Sequence, residues 1–336
     1  MRIAEQISLI KLKFEVEKLN AQVEFIRERP WLFLIRTIIH PIRKFIVSRL
    51  NAKRIRDRTI AQKPESVWSK NGVILSRTED KNRFNVSFSD MDSISLPERS
   101  IIFENNNKRI IFIHAFYMDE AIYILEKIRV FKSYDFLITT NSKDIADLFS
   151  KNIESNCLNI ILTPNHGRDV FPFLLCLHFL NLDKYSGFVK VHTKRSQHLN
   201  DQGSWFKSNI DLLLYNESFT DRLLSLMDPN LSSLYGVETL PIQDHLNNNF
   251  FWMKELIGDG YENIEAKFIP GTMFIGSAKF LNKLASKKLY HLNIETENAQ
   301  LDGCCVHALE RYFGYLTLVF GGECSTIESL ALKENS

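Results

Sequence analysis

No apolar run in the 336-residue chain reaches the roughly 18–20 residues needed to cross a bilayer. The amino terminus, Met1-Arg2-Ile3-Ala4-Glu5, lacks the apolar core of a secretory leader. The five cysteines (Cys157, Cys176, Cys304, Cys305, Cys324) are odd in number and show neither CxxC nor zinc spacing. That argues against a secreted disulfide scaffold and against structural zinc, and it fits a reducing cytoplasm. No glycine-rich dinucleotide fingerprint and no Walker lysine loop is present, which counts against both chemistries. The formal net charge is only +2, so the whole-chain balance makes no case for nucleic acid. With 45% apolar and 24% charged residues, wholesale disorder is excluded, and the length allows one large α/β domain or two small ones.

The charge is unevenly distributed. Residues 1–58 hold 14 Lys and Arg against 6 Asp and Glu, a basic arm ahead of a mildly acidic body. Within the arm, Leu9, Leu12, Val16, Leu19, Val23 and Ile26 repeat at alternating spacings of three and four. They form a heptad seam with Leu9, Val16 and Val23 at a and Leu12, Leu19 and Ile26 at d. Such a seam suits either a two-stranded parallel coiled coil or an amphipathic helix packed on its own domain. Pro30 ends this helix. The stretch from Trp31 to Val47, followed by Lys53, Arg54, Arg56 and Arg58, mixes apolar bulk with cations. It fits a membrane-surface helix or a core helix with a solvated basic flank. Residues 1–60 are thus read as a helical, basic arm, and residues 61–108 as a linker with extra strands, one beginning at Gly72.

From Arg109 onward, short apolar runs alternate with helical patterns. Strands are expected at Arg109–His114, Tyr134–Thr140, Leu158–Leu162 and Gly187–His192. Helices are expected at Asp119–Ile128, Lys143–Phe149 and Asp169–Leu180. This alternation predicts an α/β, Rossmann-like, mainly parallel sheet covered on both faces. Ligands of such sheets sit beyond the carboxyl ends of the strands. His114, Asn141, Asn165 and His192 should therefore share one crevice.

Four clusters carry candidate chemistry. In Asn165-His166-Gly167-Arg168-Asp169 a tight turn opens a helix whose amino end suits an anion. Arg168 adds a bidentate phosphate donor there, and Asp169 either caps the helix or holds Arg168. His192-Thr193-Lys194-Arg195-Ser196 places donors at the ligand edge of a strand. Lys194 is a point charge, and His192 offers a hydrogen bond or a proton. In Pro270-Gly271-Thr272-Met273-Phe274, Gly271 allows close backbone approach and Thr272 offers a hydroxyl. In Asp302-Gly303 with His307-Ala308-Leu309-Glu310-Arg311, Asp302 stands at a helix start as a candidate general base. His307 can there neighbour Arg311 and pair with Glu310. Each cluster alone also fits a structural cap or a solvated turn.

Together with Ile113-His114-Ala115-Phe116-Tyr117, these clusters follow the order seen in the rhamnan synthesis protein F family, which residues 109–320 resemble. The resemblance implies a bacterial polysaccharide glycosyltransferase domain over residues 109–330, using a nucleotide sugar. The donor would be dTDP-L-rhamnose or a related sugar, and the acceptor a lipid-linked glycan such as O-antigen or rhamnan at the cytoplasmic membrane face. Ile275 stands where an aromatic residue is expected after Met-Phe, which leaves the donor sugar open. The order also looks like the glycosyltransferase A fold, with His192-Thr193-Lys194 where that fold carries Asp-x-Asp. Cations cannot hold Mg²⁺ or Mn²⁺, so metal-independent, inverting transfer is expected, with no metal ligand and no cofactor beyond the donor.

In this reading Asp302, or else Glu310, takes the acceptor proton, and His192 assists the leaving group. His114, Tyr117, Asn165, Gly167, Arg168, Asp169, Lys194, Gly271, Thr272, His307 and Arg311 line the donor and diphosphate site. Trp205 and Phe250-Phe251-Trp252 are candidates for stacking on sugar rings. A non-catalytic glycan-binding or scaffold subunit is the competing class. A homodimer through the arm is a further expectation, and a nucleic acid partner is not expected.

Overall fold

A computed structural model describes residues 2–28, 72–78, 82–89, 101–194, 203–292, 294–295 and 302–335. The Pro30 break, the apolar and basic stretch of residues 31–58, and Arg195 and Ser196 lie outside the described residues. The chain forms two compact units, one of residues 8–67 and one of residues 1–7 with 68–336. Helix α1 (Ile3–Glu28) begins in the larger unit, where Ile3 and Ile7 are fully buried. The apolar positions of α1 that pack are therefore not those of the heptad seam, whose Leu9, Leu12, Val16, Leu19 and Val23 are exposed.

In the larger unit, β1 (Gly72–Arg77) and β2 (Arg83–Ser89) form an antiparallel hairpin at one sheet edge. Next come β3 (Arg109–His114), α2 (Met118–Ile128), β4 (Tyr134–Thr140), α3 (Lys143–Asn152) and β5 (Leu158–Leu162). Helix α4 (Val170–Phe179) and β6 (Gly187–His192) complete this alternation. The rest contains α5 (Ser204–Leu213), α6 (Glu217–Ser225), β7 (Leu234–Gly236), β8 (Leu240–Pro241), α7 (Phe250–Ile257), β9 (Lys267–Phe268) and β10 (Phe274–Ser277). It ends with α8 (Ala278–Ser286), α9 (Cys305–Val319), β11 (Cys324–Thr326) and α10 (Ile327–Leu332).

Nine strands form one sheet in the order β1-β2-β5-β4-β3-β6-β10-β7-β11, and β8 pairs with β9 alone. Strands β2, β5, β4, β3 and β6 run parallel. The sequences of β3 to β6 are near-continuous apolar runs because both faces are covered, and every residue of β4 and β6 is buried. The sheet is nevertheless mixed, since β10 runs antiparallel to both β6 and β7. The sheet remains mainly parallel as expected, and since strand direction leaves no trace in an apolar run, the place of the antiparallel β10 was not readable.

Four helices of the unit start on side-chain caps. Ser142 accepts from the Ile145 amide, Asn216 from Phe219, Ser277 from Phe280 and Thr326 from Ser329. Helix α4 is apolar all round and all ten of its residues are buried, as a helix in a double-sided core must be.

Candidate active site at the carboxyl ends of the central strands

The chain runs outward from β3 through β4 to β5, then crosses back to lay β6 on the other side of β3. The two directions part between β3 and β6, the switch point where a crevice opens at the carboxyl ends. His114 and His192 end these strands and face each other in register. The ladder continues one step further, with the Thr193 amide donating to the His114 carbonyl at 3.0 Å. The Thr193 hydroxyl accepts from the amides of Phe116 (2.8 Å) and Tyr117 (3.2 Å), which ties the loop after β3 to the end of β6. Tyr117 is the residue that precedes α2. Asn141 and Asn165, just beyond β4 and β5, are exposed.

Behind the imidazoles lies a buried charge cluster. Lys190 sits in the middle of β6, its side chain enclosed between the rings of Phe173 and Phe274. Its Nζ donates to Asp169 Oδ2 at 2.6 Å and to both the carbonyl and the hydroxyl oxygen of Thr272 at 3.0 Å. The Thr272 hydroxyl in turn donates to Asp169 Oδ2. His192 Nδ1 lies 3.4 Å from the same oxygen, buried and without a hydrogen-bond partner of its own. Burial works against the Asp169 carboxylate, but the His192 ring, the Lys190 charge and the two donors outweigh it and hold the carboxyl well below its usual range. Burial lowers Lys190, and the Asp169 carboxylate opposes that. Burial also pushes His192 down to about 3 and His114 to about 4, each against the pull of Asp169. Both imidazoles are therefore neutral near pH 7. They can donate or accept hydrogen bonds there, but they carry no spare proton. His114 Nδ1 is 2.9 Å from the Thr139 hydroxyl.

Two consecutive left-handed pairs build the loops that meet here, Gly167 (φ 61°) with Arg168 (φ 54°) and Gly271 (φ 77°) with Thr272 (φ 52°). A β-branched residue at positive φ is costly and persists only where its surroundings over-determine it. Thr272 is held by the Lys190 and Asp169 bonds just described. Asp169 therefore neither caps α4 nor holds Arg168, the two roles expected for it, because its carboxylate is turned to Lys190 and Thr272.

Arg168 instead reaches His307 of α9, with Nη1 and Nε2 2.7 Å apart. A guanidinium only donates, so His307 Nε2 accepts and its proton sits on Nδ1. That atom lies 3.0 Å from Cys304 Sγ and 3.9 Å from Asp302 Oδ1. Asp302 also accepts from the Asn248 amide (3.1 Å) and from Asn249 Nδ2 (2.9 Å). It stands ahead of α9, whose first amide, Cys305 N, donates to Glu295 at 2.9 Å. Burial raises the thiols of both Cys304 and Cys305, which suits packing and not nucleophilic chemistry.

Glu310 does not pair with His307. Its carboxylate accepts from the Gly271 amide and from Arg311 Nη1. Burial raises Glu310 above the usual range despite Arg311, Gly271 and Lys194. Arg311 is buried, and its guanidinium donates to the carbonyls of His245 (2.6 Å) and His307 (2.7 Å) over the Phe268 ring. Lys194 lies 4.6 Å above the Trp205 ring, and that indole covers Gly271 so closely that a Cβ there would meet it at 2.2 Å. Trp252 is buried with its indole nitrogen on Glu295, whereas Phe250 is exposed.

Contacts thus link His192, Asp169 and Thr272 through Gly271 to Glu310 and Trp205, and Arg168 to His307 and Asp302. Lys190 was not among the expected site residues, although a lone lysine inside the apolar run Gly187-Phe188-Val189-Lys190-Val191-His192 was a readable signal. An open hollow of about 830 Å³ is lined by Ser133, Glu217, Asp221, Arg222 and Glu334. Ser133 precedes β4, so this hollow lies at the opposite, amino end of the strands.

No helix among the described residues is long and apolar enough to cross a membrane. The chain is 25% identical to an uncharacterized protein WxcX in each of two strains of Xanthomonas campestris pv. campestris, over 232 and 226 residues. These alignments take in 65% of this chain and 32% of each relative, so the chain spans about a third of the length of the curated relatives it matches. No solved structure matches it. Residues 72–320, from the β1–β2 hairpin to just past α9, match the rhamnan synthesis protein F family, and the chain belongs to that family of polysaccharide synthesis proteins.

Proposed function

We propose that the chain is a glycosyltransferase of the A-fold type that moves a sugar from a nucleotide diphosphate donor to a lipid-linked bacterial surface glycan at the membrane face. L-Rhamnose from dTDP-rhamnose is the first choice of donor. The observation that carries the reading is the gathering of His192, Lys190, Asp169, Thr272 and Lys194 with the start of α4 at the β3–β6 switch point. Lys194 and Arg168 take up charge on the departing diphosphate, and the neutral rings of His114 and His192 give hydrogen bonds. Asp169, Lys190 and Thr272 hold the two left-handed loops in place. Asp302, steadied by Asn248 and Asn249, takes the proton of the attacking hydroxyl, and transfer inverts the anomeric centre. Glu310, raised by burial, is the second candidate for that role. Lys194 after β6 and the neutral imidazoles of His192 and His114 are donors to phosphate oxygens, so turnover is expected without a divalent cation.

Purified protein incubated with dTDP-rhamnose and a lipid-linked acceptor should release dTDP, equally with and without EDTA. Asp302→Asn should lower kcat by about 10²–10⁴-fold with donor KM little changed. Near-normal turnover in that variant together with loss in Glu310→Gln would move the base to Glu310. Loss of turnover in EDTA, restored by Mn²⁺, would end the metal-free scheme. No transfer or donor hydrolysis with dTDP-, UDP- or GDP-sugars would favour a non-catalytic subunit.

A further inference from the structure

Helix α1 carries two apolar stripes. One begins with Ile3 and Ile7, which are buried, and continues through the half-buried Ile10 and Phe14. The other is the seam Leu9, Leu12, Val16, Leu19 and Val23, whose side chains are 48–61% exposed. In proteins most helical stability comes from packing an apolar face, not from propensity. Five large apolar side chains in register along one exposed line therefore call for a partner.

We propose that the occupant of this seam is α1 of a second copy of the same chain, in a parallel two-stranded coiled coil. Val16 and Val23 at a, with Leu12 and Leu19 at d, favour two parallel strands. In that alignment each g residue faces the e residue of the partner's next heptad, which sets Ser8 against Lys13, Glu15 against Asn20, and Gln22 against Arg27. No like charges oppose one another across the seam.

A lipid surface is the poorer fit for this helix. A membrane-surface helix needs a cationic polar face. Helix α1 holds four basic residues against five acidic ones, and the excess of cations in the arm falls beyond it, with nine against one over residues 29–58. The contacts expected of the partner are thus apolar and periodic, not electrostatic.

The test is the mass of the full chain in solution, measured by light scattering on a sizing column at micromolar concentration. The wild-type protein should run at twice its monomer mass of 39.2 kDa. Leu12→Glu/Leu19→Glu should halve that mass and leave the circular dichroism and melting temperature of the body unchanged, because both positions are exposed. Val16→Cys should form an intermolecular disulfide under mild oxidation, with the wild-type chain as the control for its own cysteines, since a residues face each other only in a parallel pair. A wild-type monomer, or a dimer that survives the double glutamate substitution, would overturn the proposal. So would a monomer that binds vesicles of phosphatidylglycerol and loses that binding in the double variant. A dimer without the Val16→Cys crosslink would overturn the parallel arrangement.

Discussion

At the scale of single residues, the site is governed by a lysine that should not be where it is. Removing one member of a buried ion pair leaves the other unpaired in low dielectric and costs about 3–5 kcal/mol. Lys190→Met is expected to destabilise the protein by that order in urea titrations. Lys190→Met/Asp169→Asn should recover a good part of the loss, because the stranded carboxylate is gone. The imidazoles make a second residue-scale prediction. His114 titrates at about 4 and His192 at about 3 in the folded protein, against 6.5 when unfolded. Below pH 6.5 the unfolded chain takes up these protons first, so stability falls as pH drops from 6.5 towards 3–4. Asp169 is displaced downward as well, so its contribution is present above its unfolded value of 3.8 and is lost as pH falls below it. Melting temperatures across this range should fall, and His114→Asn/His192→Asn should flatten the slope above pH 4. The residues ending each strand were legible because a polar side chain closing an apolar run has few other reasons to be there. The partner of each was not. Arg168 and Asp169 are adjacent in sequence, yet the two left-handed residues at Gly167 and Arg168 send their side chains to different elements.

At the scale of elements, two glycines set distances that no other residue allows. A Cβ on Gly314 of α9 would lie 2.0 Å from the Lys267 carbonyl oxygen, so β9 packs directly on helix backbone. Alanine normally gains about 1 kcal/mol over glycine inside a helix. Here Gly314→Ala should instead lower the melting temperature, which thermal denaturation would read directly. Gly271→Ala meets both a positive φ and the Trp205 ring, and it should move the indole from under Lys194. Its signature would be a changed tryptophan emission and weaker donor binding, with overall stability less affected. The strands from β3 to β6 and the helices between them follow from the alternation of apolar runs with amphipathic stretches, to within a few residues at their ends. The two-to-four-residue strands β7 to β11 are too short to leave a periodic pattern, and pairing alone makes them strands: β10 on the edge of β6, β7 and β11 beyond it, and β8 with β9.

At the scale of the molecule, the sheet places its longest parallel ladders at the centre and the β1–β2 hairpin at one margin. Native-state hydrogen exchange should find the amides of β3, β4 and β6 exchanging only on global unfolding, and those of β1 at far lower protection. The family match begins at residue 72, earlier than the motifs suggest, because that hairpin extends the same sheet beyond β5 although its own residues are too polar to read as core. Finally, the Thr193 hydroxyl, with both lone pairs given to the Phe116 and Tyr117 amides, couples two loops that lie 76 and 77 positions apart in sequence. A displacement of the end of β6 is therefore expected to carry the first turn of α2 with it.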